Sequence, residues 1–225
     1  MSEITKKGKL NLPVYRIFEV IEQRAKVTQQ SGEHPLWEGY ADLDDYPWPV
    51  QRGVTRTSEQ VRTSRLLGSF FTWLVTVRKP DVVVEFGTAF GVSGMYWLAG
   101  LEKNNAGKLL TFEPNAIWAK LAEKNLLTIS SRFQLTNGTF EENISAKLGD
   151  NEKIDIAFID AIHTSKFVFS QFEIVCNYLS KNGIIVFDGI GFSTDMRECW
   201  STITLDPRVV TAIEVQGTGI VEICM

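Results

Sequence analysis

Short apolar runs alternate with longer amphipathic segments through most of this 225-residue chain. Runs rich in β-branched residues predict buried strands, and the periodic segments between them predict helices. From residue 57 onward the predicted order is helix 58–79, strand 82–86, a helix from 93, strand 108–112, helix 116–127, strand 132–136, helix 141–148, strand 154–160, helix 165–179 and strand 184–188. Because parallel strands need long crossovers, this alternation predicts a mostly parallel sheet with helices on both faces.

The C-terminal segment departs from this alternation. Two β-branched runs, 208–215 and 219–225, are separated by Gln216, Gly217 and Thr218, and this spacing predicts an antiparallel hairpin. The predicted fold class is therefore α/β, a Rossmann-like, seven-stranded, mostly parallel sheet with a C-terminal antiparallel hairpin. Such an ending disfavours the simplest dinucleotide-binding topology, which continues with helical crossovers.

Residues 1–54 have a different character from the rest of the chain. An amphipathic segment at 14–27 precedes a turn-rich, aromatic stretch at 31–53. We expect residues 1–54 to form a cap or lid on a domain that spans 55–225. The aromatic side chains of this segment support two interpretations, the wall of an acceptor pocket or packing of the cap on the core; they are Trp37, Tyr40, Tyr46 and Trp48.

Composition excludes some classes of partner. With a net charge of −4 and a pI near 5.3, the chain offers no basic face for a nucleic-acid backbone. No apolar run approaches the length of a membrane span, so we expect a cytoplasmic protein with no membrane partner, while a homodimer stays open. Cys176, Cys199 and Cys224 are odd in number and lie in apolar contexts, which favours small buried side chains over a zinc site.

A glycine-rich turn follows the strand at 82–86. Gly87, Ala89 and Gly91 do not match the dinucleotide fingerprint, and no Lys followed by Ser or Thr comes after the last glycine, as a phosphate-binding P-loop requires. The strand carries a carboxylate, Glu85, which would repel a pyrophosphate and attract an ammonium group. This turn therefore predicts a ligand with a cationic amine, such as the methionine portion of S-adenosylmethionine.

Further polar residues follow the other predicted strands. Glu113 ends the second strand, where a carboxylate can accept both hydroxyl groups of a ribose. After the third strand, Gly138 frees the backbone and Thr139 and Phe140 are candidates for the edge and face of an adenine. Three more residues follow the fourth and fifth strands at the ligand-binding edge of such sheets; they are Asp160, His163 and Asp188.

From about residue 57 onward the chain resembles class I S-adenosylmethionine-dependent methyltransferases, and more narrowly the catechol and caffeoyl-CoA type of small-molecule O-methyltransferase. The pieces that carry the resemblance occur in the family's order: VRTSRLLGSFF, EFGTAFGVS, FEPN, NGTF, FIDAIH and VFDG. The resemblance implies that Thr63 and Ser64 lie near the methionine end of S-adenosylmethionine. It also implies that Glu85, Gly87 and Ser93 bind the amino and carboxylate groups, that Glu113 binds the ribose, and that Thr139 and Phe140 bind the adenine.

The resemblance also suggests a base for catalysis. His163 stands where related enzymes carry a lysine or histidine base, so it is the candidate general base, beside Asp160. Members that use magnesium supply two aspartates and a following Asn or Asp; Asp160 and Asp188 match, but the third position is Gly189. We therefore predict a metal-free reaction, with magnesium as the less favoured alternative. His34 has no comparable support.

The predicted function is methyl transfer from S-adenosylmethionine to a small-molecule acceptor, on a hydroxyl oxygen. Three alternatives stay open: a small-molecule N-methyltransferase, a non-catalytic S-adenosylmethionine-binding protein and, less favoured, an NAD-dependent oxidoreductase. Calorimetry with NAD and with S-adenosylmethionine separates the last alternative from the others. The sequence does not identify the acceptor.

Overall fold

The computed structural model describes residues 5–6, 9–10, 12–43, 46 and 52–224. Within these residues the strands are β1 (Thr5–Lys6), β2 (Lys9–Leu10), β3 (Glu33–Pro35), β4 (Thr55–Thr57), β5 (Val82–Phe86), β6 (Lys108–Phe112), β7 (Phe133–Thr136), β8 (Ile154–Ile159), β9 (Leu179–Phe187), β10 (Val209–Val215) and β11 (Thr218–Ile223). The α-helices are α1 (Ile17–Gln29), α2 (Ser58–Val61), α3 (Arg65–Arg78), α4 (Val92–Asn104), α5 (Ala116–Leu126), α6 (Phe140–Lys147), α7 (Ser165–Tyr178) and α8 (Thr194–Thr204), and a short 3-10 helix spans Glu38–Asp42.

Seven strands form one sheet in the order β10-β11-β9-β8-β5-β6-β7. The pairs among β9, β8, β5, β6 and β7 are parallel, whereas β11 pairs antiparallel with both β9 and β10. Gln216 and Gly217 form the hairpin turn with φ values of 55° and 79°, as a tight two-residue turn requires. The predicted fold class is confirmed.

Apolar side chains pack on both faces of the sheet. On one face, Phe71 and Trp97 stack with ring centroids 4.1 Å apart and belong to a cluster formed with α1, α3 and α4. On the other face, Phe172 and Trp200 belong to a cluster with α7 and α8. Because β5 is buried along its whole length, its sequence reads as an unbroken apolar run except for Glu85.

The single helix predicted at 58–79 is wrong, because the structure divides it into α2 and α3. Arg62 is extended at the end of α2, and the Ser64 side chain accepts a hydrogen bond from the Leu67 backbone N–H at 3.3 Å to begin α3. Residues 62–64 thus form a short loop that faces the cavity described below. The helix α8 was not predicted, and β9 begins at Leu179, five residues earlier than expected, because polar residues interrupt its apolar pattern.

The N-terminal segment contributes to the main core as well as covering it. Phe18, Ile21 and Ala25 of α1 are buried in the cluster with α3 and α4. The β3–β4 hairpin pairs Glu33–Pro35 with Thr55–Thr57, across the predicted boundary at residue 54. That boundary and the role of residues 1–54 as a lid stay predictions. In the described part of the chain, no helix is both long and apolar enough to cross a bilayer.

Candidate active site

The main cavity lies at the carboxyl ends of the parallel strands and has a volume of about 520 Å³. Side chains from the ends of β6, β8 and β9 line it, and Trp37, Tyr40 and Tyr46 of the N-terminal segment face them. A much smaller cavity of about 10 Å³ lies beside it and shares several of its lining residues. A cavity of this size falls within the range of roughly 300–1,000 Å³ that is typical of small-molecule sites.

Gly87 lines both cavities at the point where they adjoin. Its φ is +86°, a backbone conformation that side chains rarely adopt. A Cβ at this position would collide with the backbone carbonyl oxygen of Asp160. Glycine is therefore required for β5 and β8 to approach each other at this point, and the exposed backbone leaves room for a ligand.

Glu113 is held rigidly at the end of β6. It is only 5 % exposed, its Oε2 accepts a hydrogen bond from the Ala89 backbone N–H at 2.8 Å, and its Oε1 accepts one from the Asn115 N–H at 2.9 Å. Burial raises the pKa of Glu113 to about 7, and the two backbone hydrogen bonds oppose that rise. Each carboxylate oxygen keeps further acceptor capacity, so a pair of ligand hydroxyl groups in the cavity can donate to it.

Glu85 is not brought into either cavity. Its side chain is fully buried, and its Oε2 accepts a hydrogen bond from the Thr111 hydroxyl at 2.8 Å. Burial raises the pKa of Glu85 to about 7, while hydrogen bonds from Ser93, Thr111 and Trp97 counter it. Direct contact with a ligand amine, which the sequence suggested, is therefore not supported, because the carboxylate lies beneath the glycine turn.

Thr63 and Ser64 do reach the cavities, on the loop between α2 and α3. Thr63 lines both cavities, Ser64 lines the large one, and Ser93 lines the small one. Arg62 fixes this loop because its Nη2 donates to both carboxylate oxygens of Glu22 at 2.7 and 2.8 Å. The Tyr96 hydroxyl also donates to Glu22, at 2.7 Å. The Glu22–Arg62 pair was not predicted, because no local pattern joins residues 40 positions apart.

Gly138 and the two residues predicted to contact an adenine, Thr139 and Phe140, differ in how far they reach the cavity. Gly138 and Thr139 line the cavity beside Glu113. Phe140 also contributes to the lining, but it is only 2 % exposed, and its ring packs on Phe86 with centroids 3.7 Å apart. Phe140 therefore acts mainly as a core residue beneath the cavity, and its ring offers little free surface to stack on a ligand.

Asp160, His163 and Asp188 come together at the carboxyl ends of β8 and β9. His163 Nε2 lies 3.4 Å from Asp160 Oδ1 and 3.8 Å from Asp188 Oδ2. This nitrogen is enclosed and has no hydrogen-bond partner among the described residues. The imidazole ring also packs on Phe192 with centroids 5.0 Å apart. Three ionisable groups from the ends of two neighbouring strands thus share one edge of the cavity.

These groups alter one another's proton affinity. Burial raises the pKa of Asp160 to about 8, with a further contribution from the nearby Asp188 carboxylate. Burial by itself lowers the pKa of His163, but the two carboxylates outweigh it and the net shift is upward. The cluster therefore retains protons at a higher pH than the isolated side chains would.

Gly189 gives His163 the space that its ring occupies. Its φ is +64°, and a Cβ at this position would lie 2.8 Å from Nε2 of His163. A side chain at residue 189 and the observed His163 ring therefore exclude each other. The resemblance implies a third oxygen ligand at position 189 in magnesium-dependent members, and here the His163 imidazole fills the space that a side chain at that position would need.

The donor atoms of Asp160, His163 and Asp188 lie within 4.8 Å of one another, close enough to share a cation. Magnesium demands near-ideal octahedral geometry and is usually held through oxygen atoms. A set of two carboxylates and one imidazole nitrogen does not fit the oxygen-only set that the resemblance implies. The prediction of a metal-free reaction stays a prediction, and chelation tests it below.

The aromatic residues of the N-terminal segment form one wall of the cavity. Ring contacts run from Trp37 to Tyr40 (6.1 Å), from Tyr40 to Tyr46 (5.5 Å) and from Tyr46 to Phe192 (6.1 Å). The Tyr40 hydroxyl donates to the Ala161 carbonyl at 2.6 Å, which fastens this wall to the end of β8. Trp48 lies outside the described residues.

Two other predictions concern residues away from the cavity. His34 does not line it; Nε2 of its ring lies 2.8 Å from the Ser31 hydroxyl oxygen and the ring packs near Phe90. Cys176 and Cys199 are buried as expected, but Cys224 is exposed, so the prediction of burial is wrong for Cys224. The end of β11 leaves that side chain at the surface.

Comparison with known proteins relates part of the chain to methyltransferases. Residues 84–190, which contain the glycine turn, Glu113 and the Asp160–His163–Asp188 cluster, match the model of a family described as a methyltransferase domain. This match covers just under half of the chain and agrees with the resemblance to class I S-adenosylmethionine-dependent methyltransferases. No curated protein matches the sequence.

Solved structures share the fold of this chain at low sequence identity. An O-methyltransferase from Bacillus cereus in complex with SAH is 19 % identical, with a TM-score of 0.65 over 96 % of this chain and 93 % of that one. TomG of Streptomyces achromogenes, an O-methyltransferase involved in tomaymycin synthesis and solved with SAM, is 15 % identical, with a TM-score of 0.64 over the same shares. A candidate caffeoyl-CoA O-methyltransferase from Staphylococcus aureus is 20 % identical, with a TM-score of 0.61 over 74 % and 87 %.

Proposed function

We propose that this methyltransferase transfers the methyl group of S-adenosylmethionine to a hydroxyl oxygen of a small molecule, with His163 as the general base. The observation that carries the proposal is the position of His163, whose ring lines the cavity while Nε2 faces two carboxylates. The methyl donor is supported by the family match and by the SAM and SAH bound to structural neighbours.

The residues of the cavity fit this donor. A ribose between Gly138 and the glycine turn would place its hydroxyl groups beside Glu113, which lines this part of the cavity. The methionine end would lie where the two cavities adjoin, beside Thr63 and Gly87, which line both of them, and close to Ser93 of the small cavity. Carboxylates around the cavity also suit a ligand that carries a sulfonium charge.

The transfer itself requires alignment and removal of one proton. When bound, the donor supplies an electrophilic methyl group on a positively charged sulfur. The acceptor oxygen attacks the methyl carbon in line, the C–S bond breaks with its electron pair kept on sulfur, and the acceptor proton passes to His163. Because Nε2 is enclosed by Asp160 and Asp188, Nδ1 is the nitrogen that takes this proton, and the carboxylates stabilise the resulting imidazolium.

This arrangement sets the expected pH dependence. His163 works as a base only when it is neutral, and its pKa lies above the ordinary value because the two carboxylates outweigh burial. The rate should therefore rise with pH, and the midpoint should lie above about 6.5, the reference pKa of histidine. Asp160, Asp188 and the ring of Phe192 are the groups that face His163 in this region.

The test compares cofactor binding with turnover in His163→Ala and His163→Gln. Affinity for S-adenosylhomocysteine, measured by calorimetry, should stay within a few-fold of wild type, because the ring faces the acceptor side. Turnover on a panel of paired hydroxyl and amine acceptors should fall by about 10²- to 10⁴-fold, the usual contribution of a general base. His34→Gln is the matched control, since His34 does not line the cavity.

Three outcomes would contradict the proposal. Turnover of the His163 variants within a few-fold of wild type would show that His163 is not the general base. A consistent preference for amines over matched hydroxyl compounds would favour the N-methyltransferase alternative. Binding of S-adenosylmethionine without turnover on any acceptor would favour a non-catalytic binding protein.

A further inference from the structure

One positively charged side chain of the cavity wall has no ionic partner among the residues that the structure describes. Arg56 of β4 is half-buried and lines the main cavity. Its one described side-chain hydrogen bond runs from Nη1 to the carbonyl oxygen of the adjacent Thr55, at 2.9 Å. Among the described residues it makes no salt bridge, whereas Arg62, the other arginine of the lining, is held by Glu22. A guanidinium that lines a cavity without a carboxylate partner is available to a ligand.

Arg56 belongs to the aromatic side of the cavity. Burial raises the pKa of the Tyr40 and Tyr46 phenols. The positive charge of Arg56 opposes part of this rise at both residues. These two rings connect by aromatic contacts to Phe192, which packs on His163. Arg56 and the proposed base are therefore linked by a continuous aromatic surface.

Arg56 is not positioned to serve the methionine end of the cofactor. The small cavity at that end is lined by Thr63, Gly87 and Ser93, and Arg56 is absent from its lining. Arg56 instead lines the main cavity, to which Tyr40 and Tyr46 also contribute, and an acceptor would enter on this side. A ligand group that pairs with Arg56 thus belongs to the acceptor.

We propose that the acceptor is an aromatic hydroxyl compound with an anionic substituent, and that Arg56 pairs with that substituent. This inference rests on the proposed function and deepens it by naming the class of acceptor. The planar ring of the acceptor packs against Tyr40, Tyr46 and Phe192, and its hydroxyl group faces His163. Guanidinium groups bind carboxylates and phosphates through paired hydrogen bonds, so either anion satisfies the site.

The experiment measures acceptor binding to the protein saturated with S-adenosylhomocysteine, so that it does not depend on turnover. The ligands are hydroxybenzoate, hydroxyphenylacetate and hydroxyphenylpropanoate, each paired with its neutral amide, together with hydroxyphenyl phosphate. Wild type should bind at least one anionic ligand about 10- to 100-fold more tightly than its neutral partner, as expected for a hydrogen bond to a charged group. The ligand that binds most tightly among these seven shows which anion the site prefers and which distance between the anion and the aromatic ring.

Variants assign the preference to Arg56. In Arg56→Gln the anionic and neutral ligands should bind alike, Arg56→Lys should keep part of the preference, and Arg52→Gln, in an exposed ion pair with Asp42, should match wild type. Affinity for S-adenosylhomocysteine should be unchanged in all three.

Three results would each overturn the inference. They are equal binding of acids and amides to wild type, a preference for acids that survives in Arg56→Gln, and loss of cofactor affinity in that variant. Failure of the proposed function gives a different result, namely selective acceptor binding without methyl transfer.

Discussion

Glu113 provides the sharpest test of the cofactor site. In Glu113→Ala the carboxylate that we expect to accept the ribose hydroxyls is lost. A hydrogen bond to a charged group contributes about 1.5–3 kcal/mol. At about 1.4 kcal/mol per tenfold change, affinity for S-adenosylhomocysteine should fall by about 10- to 150-fold. Isothermal calorimetry at pH 8 measures this directly.

The pKa of Glu113 adds a second observable. Because burial raises that pKa to about 7, the carboxylate is protonated in a large part of the free protein at pH 6 and ionised at pH 8. The ionised carboxylate can accept hydrogen bonds from both ribose hydroxyl groups. The affinity of the wild-type protein for S-adenosylhomocysteine should therefore increase from pH 6 to pH 8. Glu113→Ala should lose most of this pH dependence.

Two controls separate ligand contact from loop damage. The variant also leaves the backbone N–H groups of Ala89 and Asn115 without their partner, so thermal unfolding must show that the protein stays folded. A 2′-deoxy analogue of S-adenosylhomocysteine should lose less affinity than the parent when Glu113 is removed, because one of the two interactions is already absent. Affinity within threefold of wild type in a folded variant would refute the reasoning.

Three further predictions concern the metal, Glu85 and Gly189. EDTA should leave most of the activity intact, because the donor set does not fit magnesium; complete loss that magnesium restores would show that the metal-free prediction is wrong. Glu85→Gln should hardly change affinity for S-adenosylhomocysteine, but it should flatten the pH dependence of stability in urea unfolding. The folded state of wild type binds more protons than the unfolded state between the ordinary carboxyl pKa and about 7, so stability falls as pH rises through that window. Gly189→Ala should displace the His163 ring and lower turnover with cofactor affinity retained; a crystal structure with the ring unmoved, and unchanged kinetics, would argue against that packing.

Hydrophobic patterning alone determined the seven strands of the sheet and most of the helices that cover it. The runs at 82–86 and 108–112 match β5 and β6 because buried parallel strands must be apolar on both faces, and the paired β-branched runs at the C-terminus fix the hairpin. The ends of the strands also followed from the sequence, and with them the positions of Glu113, Asp160 and Asp188 at one edge. Local pattern is sufficient here, since parallel strands bring their carboxyl ends together.

Tertiary packing decided what each polar side chain can reach. Glu85 follows the same strand pattern as Glu113, yet one carboxylate lies beneath the glycine turn and the other lines the cavity, a difference set by the neighbouring strand and α4. The loop between α2 and α3 is held by the pair that Arg62 forms with Glu22 of a distant helix, which no local propensity reveals. Likewise, the place of the His163 ring depends on a glycine 26 residues later in the chain, because two side chains cannot occupy one space.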